Sequence, residues 1–231
     1  MPADPNFAQA AALIGDPARA AMLAALLGGR ALTASELAAC ASVTPQTASS
    51  HLSRLREGGL IDVVASGRHR YYRLASADVA RALETLASIA APAKIISLRQ
   101  SESARALRFA RSCYDHLAGS LGVQLTDRLV ERGLLSQAGE PYHMTPQGIG
   151  WLAQRGIDGE QLVHGRRAAA RACLDWSERR YHVAGAFGAA LADWLLSQGW
   201  LSRVATSRAL RLTDVGRAGF AHEWGIDVGP R

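Results

Sequence analysis

The sequence holds no apolar run long enough to cross a bilayer: the longest, Ala20 to Leu27, falls far short of the ~20 residues that a membrane helix needs. A basic segment ahead of an apolar stretch is also missing at the start, where Asp4, Pro5 and Asp16 stand instead, so no secretory signal is expected and a cytoplasmic protein is. Cysteine is scarce. Cys40, Cys113 and Cys173 are an odd number without a C-x-x-C pair, which excludes a disulfide framework and a zinc ribbon. Lysine is nearly absent, Lys94 being the single one among 26 basic residues. The rest are arginines, whose planar fork suits phosphate and guanine. Gly148-Ile149-Gly150 lacks the third glycine and the long preceding strand of a dinucleotide site.

Apolar residues make up 48% and charged residues 20% of the 231, the balance of a globular chain with room for one large domain or two small ones. Net charge is +6; residues 1–95 hold 9 basic and 7 acidic side chains and residues 96–231 hold 17 and 13, so bulk charge singles out neither half. Placement says more, because Arg68, His69, Arg70 and Arg73 fall within six residues that include no acid.

A short amphipathic segment, Asn6 to Ile14, ends at Gly15, and Asp16-Pro17 then supplies an N-cap and a first-turn proline for a helix running to Gly28-Gly29. Thr33-Ala34-Ser35-Glu36 has the spacing of a capping box and opens a short helix with Leu37 and Ala41 inward. Thr44-Pro45 restarts the helix three residues after Ala41, which makes a helix-turn-helix. In Pro45 to Glu57, Ala48, Leu52 and Leu55 recur at helical spacing and set the buried face. The remaining face carries Gln46, Thr47, Ser49, Ser50, Ser53 and Arg54, short hydroxyl and amide groups that reach phosphates and base edges. Such a face also suits a protein partner. The next segment decides between the two: Leu60 to Ala65 and Arg68 to Leu74 read as strands around a Ser66-Gly67 turn, with the basic cluster at the tip and on the return arm. A polar helix followed by a basic hairpin is a winged helix-turn-helix that binds double-stranded DNA. Its expected contacts are Thr44, Gln46, Thr47, Ser49, Ser50, His51, Ser53, Arg54, Arg68, His69 and Arg70, with Gln46, Ser49 and Ser50 on base edges and Arg54, Arg68 and Arg70 on phosphate.

The run from Thr44 to Ile61, containing Arg56-Glu57-Gly58-Gly59-Leu60, and the run Gly67-Arg68-His69-Arg70-Tyr71-Tyr72-Arg73-Leu74 resemble the winged-helix repressors of the arsenic-repressor (ArsR/SmtB) family over about residues 8–90. The resemblance implies a homodimer joined through the first helix and through Ser76 to Ala90, bound to a pseudo-palindromic operator and released by a signal. The family's metal-sensing sites do not carry over. Its thiolate site needs two or more cysteines near the first helix of the motif, where only Cys40 stands, and its other site needs histidines that Ser76 to Ala90 lacks.

The second half contains an internal repeat. At an offset of 66, residues 116–136 and 182–202 agree at ten of 21 positions, led by His116, Gly119 and Gly122 against His182, Gly185 and Gly188. Each copy reads as a helix bearing the histidine, a second helix ending at Gly133 or Gly199, a hairpin, and a helix capped by Thr145 or Thr213. Acids on the helix before each hairpin (Asp127 and Glu131; Asp193) disfavour a second DNA reader and favour an effector domain. Both copies offer Cys-x-Asp ahead of the histidine, but Cys113 and Cys173 are 60 apart, which requires a six-residue insertion. The candidate effector residues are Cys113, Tyr114, Asp115, His116, Cys173, Asp175, Trp176 and His182, and the expected ligand is an organic or redox-active small molecule ahead of a metal. Core histidines satisfied by carbonyls or carboxylates are the alternative.

The expected fold is mainly α with short β-hairpins: a winged helix-turn-helix domain over 1–92, a linker at 93–103, and a duplicated helix/β-hairpin domain over 104–231 with repeats at about 104–158 and 170–227. The expected function is a dimeric, effector-released transcriptional repressor, not an enzyme and with no membrane partner. A constitutive DNA-binding protein and, further off, a thiol-dependent enzyme using Cys113 and His116 are the alternatives.

Overall fold

Side-chain caps set where this chain turns helical. Asn6 accepts the Gln9 amide ahead of α1 (Phe7–Ile14), and Asp16 accepts the Arg19 amide ahead of α2 (Pro17–Leu26). A full capping box between Thr33 and Glu36 opens α3 (Ala34–Ala41) just after β1 (Leu32–Thr33), and Thr44 caps α4 (Pro45–Glu57). The computed structural model describes residues 5–91, 97–137, 142–205 and 207–229. It divides into two compact units, Met1–Glu84 and Thr85–Arg231.

In the first unit, β2 (Ile61–Ser66) and β3 (His69–Leu74) form the expected antiparallel hairpin, paired from Ile61 with Leu74 to Ser66 with His69. Strand β1 adds to β3, giving the order β1-β3-β2, and α5 (Ala77–Ile89) follows, running across the division at Glu84. The core packs Met22, Leu23 and Leu26 with Leu37, Ala48, Leu52, Leu55, Ile61 and Leu74. Ala38 rather than Ala41 completes the inner face of α3, because Ala41 lies in the last turn and is half-buried.

The second unit repeats one order twice: helix, hairpin, helix, hairpin, helix. The first copy comprises α6 (Leu98–Phe109), β4 (Arg111–Cys113), β5 (His116–Ala118), α7 (Ser120–Glu131), β6 (Leu135–Gln137), β7 (Tyr142–Met144) and α8 (Pro146–Ala153). The second comprises α9 (Gly159–His164), β8 (Arg171–Leu174), β9 (Tyr181–Ala184), α10 (Gly185–Ser197), β10 (Leu201–Arg203), β11 (Leu210–Leu212) and α11 (Asp214–Trp224). The expected linker and domain start are corrected here. Residues 93–96 lie outside the described residues, and from Ser97, which caps Gln100, the chain is already helical as α6.

A second correction concerns the histidines. His116 and His182 sit on β5 and β9, not on helices. Helix α7 starts only after Gly119 and α10 only at Gly185, both glycines at φ +85°, a left-handed backbone that no continuing helix admits. Strands β5 and β9 are three and four residues long and almost wholly buried on both faces, so they show no alternation by which a strand is read.

The copies interlock by trading neighbours. Helix α10 packs on β5 and α7 on β9. The Ser112 amide donates to the Arg208 carbonyl and the Leu210 amide to the Ala110 carbonyl, both at 2.8 Å, so β4 joins the hairpin of the other copy. Leu121, Leu125 and Leu129 of α7 and Phe187, Leu191 and Leu195 of α10 share one core with Phe220 and Trp224. No helix among the described residues is long and apolar enough to cross a membrane.

This close approach gives a paired prediction. A Cβ on Gly188 would lie 2.5 Å from the Val183 carbonyl oxygen and 3.2 Å from His116 Cβ, whereas a Cβ on Gly150, inside α8, meets nothing within 4 Å. Gly188→Ala should lower stability by about 1–3 kcal/mol through overpacking. Gly150→Ala should raise it by about 0.5–1 kcal/mol. Urea denaturation of both variants measures the difference, and equal effects would refute the packing account.

Candidate nucleic-acid interface and buried histidine-cysteine cluster

Helix α4 is pinned by Ala48, Leu52 and Leu55, which leaves Gln46, Thr47, Ser49, Ser50 and Arg54 exposed on its other side. Thr44 is committed to the cap, accepting from the Thr47 amide and bonding the Thr47 hydroxyl at 2.9 Å. Ser53 is half-buried and donates to Glu57 at 2.9 Å. His51 turns toward its own domain: Nδ1 lies 3.5 Å from Arg19 Nη1 and 3.8 Å from Asp16 Oδ1. The wing tip keeps Arg68, His69 and Arg70 exposed. Arg73, the fourth member of the basic cluster, faces Asp62 across the hairpin at 3.9 Å, so the local positive charge belongs to the tip.

The second candidate site is made by the two hairpins β4-β5 and β8-β9. Register puts Cys113 opposite His116 and Cys173 opposite His182. Two residues separate the first pair in sequence and eight the second, so the six-residue insertion lies in the β8-β9 turn. Packing of the two copies then brings both pairs together. His116 Nε2 stands 3.2 Å from His182 Nε2, and Cys113 Sγ stands 3.9 Å from Cys173 Sγ. The four ligand atoms all lie within 4.8 Å of one another.

Each ring has a carboxylate behind it. Asp115 Oδ1 lies 3.2 Å from His116 Nδ1, and Asp115 is itself paired with Arg167. Asp175 Oδ2 lies 3.4 Å from His182 Nδ1, an ion-pair distance without hydrogen-bond geometry. With each Nδ1 facing an acid, each Nε2 points inward, and at 3.2 Å the two nitrogens share a hydrogen bond. Asp175 is fully buried and saturated: Arg111 Nη2 donates to it at 2.8 Å and the Gly119 amide at 2.7 Å, while Ser177 and the Glu178 amide hold its other oxygen. Arg111, also fully buried, lies with its guanidinium carbon 4.5 Å from the centroid of the Trp176 ring.

Charges in the cluster are strongly shaped. Burial opposes charge on both rings, but at His116 the Asp115 carboxylate and the Cys173 sulfur overcome it and raise the pKa. At His182 burial prevails, helped by His116, and the pKa falls. The Cys173 thiol is held far below the ordinary thiol range, first by its bond from Cys113 and further by the two histidines, against burial.

All eight sequence-predicted effector residues therefore fall in these two hairpins, with Tyr114 and Trp176 in the turns. The rings are in contact, which leaves no space between them for an organic molecule. A surface groove of about 600 Å³ elsewhere in this unit is lined by Glu102, Ser103, Arg105, Ala106, Phe109 and Val228 and includes none of the eight. Sequence reasoning missed Arg111 and Arg167, the partners of the two carboxylates. Arg111 had a weak signal in Arg171, its counterpart 60 residues on.

A helix-turn-helix domain family model matches residues 14–64. Over 225 residues, 97% of this chain and 100% of the relative, the sequence is 45% identical to YdfF, an uncharacterised HTH-type transcriptional regulator of Bacillus subtilis (strain 168). Among solved structures it is similar to the cadmium metal-sensor CMTR from Mycobacterium tuberculosis, at 33% identity over 40% of this chain and 99% of that chain, with a TM-score of 0.32. It is similar also to the homodimeric winged helix-turn-helix DNA-binding domain of Mb0332 from Mycobacterium bovis, a possible ArsR-family regulator, at 26% identity over 37% and 86% of the two chains, with a TM-score of 0.33.

The buried pair and a surface pair should behave oppositely on mutation. Arg111→Met keeps the bulk but strands the Asp175 charge in the interior, and should cost about 3–5 kcal/mol. Arg180→Ala removes an exposed pair in which Nη2 donates to both Asp127 carboxylate oxygens at 2.8 Å, and should cost less than about 1 kcal/mol. Thermal and urea unfolding of the two variants measure the contrast.

Proposed function

The chain belongs to the helix-turn-helix transcription regulators, and on that premise we propose that it is a dimeric repressor of the ArsR-like kind, held on a pseudo-palindromic operator and released by an effector bound in its C-terminal unit. The observation that supports the operator contacts is the exposed polar face of α4, in one unit with an uncompensated basic wing tip. Gln46, Ser49 and Ser50 read base edges, and Arg54, Arg68 and Arg70 take phosphate. His69 lies on the same tip. Thr44, Thr47 and Ser53, which already bond within the helix, frame the contact, and His51 supports it from behind through Asp16 and Arg19. A single recognition helix covers too few base pairs for specific binding, which favours two copies about a two-fold axis. Helix α1, rich in alanine with Phe7 76% exposed, buries no residue at all, and on α5 Ile89 is 79% exposed. These apolar surfaces supply the dimer contacts. The effector site is the Cys113, His116, Cys173 and His182 cluster, with Asp115 and Asp175 behind the rings and Tyr114 and Trp176 in the turns.

Two measurements test this reading. With a labelled duplex selected from a random pool by the parent protein, Arg68→Ala combined with Arg70→Ala should weaken binding to every sequence and reduce the log-log salt slope by about 0.9 for each lost phosphate contact. Ser49→Ala should instead relax sequence preference; unchanged affinity in both variants would reject the interface. In analytical ultracentrifugation the parent should sediment as a dimer and the Phe7→Glu, Ile89→Glu variant should shift toward monomer, a result reversed if the C-terminal unit supplies the interface.

A further inference from the structure

The four inward-facing donors have the dimensions of a metal site. For zinc, with bonds of about 2.3 Å to sulfur and about 2.0–2.1 Å to nitrogen, a regular tetrahedron has S···S and N···N edges of about 3.8 and 3.3 Å. Here those edges are 3.9 and 3.2 Å. Three further features point the same way. The sulfurs at 3.9 Å are well outside the ~2.05 Å of a disulfide, so they are not already joined. Both imidazoles turn Nδ1 to a carboxylate and Nε2 to the centre, the arrangement that fixes tautomer and basicity in a histidine ligand. His116 and His182 are 3% and 1% exposed, so two imidazole Nε2 atoms and two sulfurs face one another where water is excluded.

We propose that Cys113, His116, Cys173 and His182 form a tetrahedral site for a thiophilic transition-metal ion, zinc by preference, and that this ion is the effector of the C-terminal unit. The second half of the statement rests on the effector-released repressor reading; the first stands without it. Two thiolates and two neutral imidazoles around a divalent ion sum to zero charge, so the filled site buries no net charge. An S2N2 tetrahedron selects zinc among common ions and disfavours magnesium and calcium, which take oxygen ligands. Each copy contributes one cysteine and one histidine, so one ion ties the two copies together across their pseudo-symmetry. Exchange of that ion is therefore a change in how the copies hold each other, which is what an effector needs to alter.

The full-length protein, purified reduced and stripped with a chelator, should take up one zinc per chain in competition with a chromophoric chelator. Cobalt at the same site should give the intense visible bands of tetrahedral coordination together with sulfur-to-cobalt charge transfer. Cys113→Ser should diminish that charge transfer while leaving far-ultraviolet circular dichroism unchanged. Asp115→Asn, which keeps all four ligands, should weaken zinc by about 10–100-fold. Parent protein that binds neither ion while both thiols stay titratable overturns the site, as does a cobalt spectrum without thiolate charge transfer; neither result depends on a variant folding. For the regulatory half, zinc should lower affinity for the selected duplex by about 5–150-fold in the parent and not in Cys113→Ser. Stoichiometric tetrahedral binding with unaltered DNA affinity would keep the metal site and overturn the effector reading.

Discussion

The organisation of the C-terminal unit hangs on the Asp175 carboxylate. It sits in the long turn of the second copy's hairpin, yet it accepts from Arg111 and from the Gly119 amide of the first copy and lies behind His182. A buried carboxylate must be paired and fully hydrogen-bonded to be tolerated, so this one dictates where four other groups stand. Gly119 can present its amide only because it adopts the left-handed backbone that ends β5 and lets α7 begin. The same residue that starts the helix thus completes the anion's shell.

From that anchor the cluster follows. Fixing the two hairpins against each other places His116 against His182 and Cys113 beside Cys173, with neither pair adjacent in sequence. The exchange of helices, α10 on β5 and α7 on β9, then closes an apolar shell around them. Gly122 and Gly188 are required at the first turns of those helices because a side chain would strike the carbonyls of Leu117 and Val183. Thr126 carries the interlock further, donating to the Gly122 carbonyl and accepting from the Val183 amide of the other copy.

The DNA-binding unit works by a different logic. Its stability comes from local caps and one apolar stripe per helix, and its exposed polar groups are the ones that stripe leaves over. Among the described residues its buried polar side chains are Arg19 and Glu84, and the Arg19 guanidinium donates to the Leu13 and Ala12 carbonyls at the end of α1 and so joins two helices. Function on a surface needs only a fixed backbone, whereas function in an interior needs every polar atom accounted for.

By itself the sequence determined the winged helix, because α2, α3, α4 and the hairpin are each announced within four residues: Asp16-Pro17, Thr33 with Glu36, Thr44-Pro45, and the turn at Gly67. It also determined that the second half is duplicated, and it singled out Cys113, Asp115, His116, Cys173, Asp175 and His182. It misread the strands that carry the histidines, since segments of three or four residues buried on both faces have no period to read. Only the tertiary structure decided that these residues converge. Cys113 and Cys173 are 60 residues apart and His116 and His182 are 66, so their meeting depends on how two copies pack, a relation between surfaces that no local pattern encodes. For the same reason the expected space for an organic ligand gave way to a cluster in which the rings touch: the size of an interior site is set by the last few ångströms of packing, and those are fixed by Gly188 against Val183 and Asp175 against Arg111.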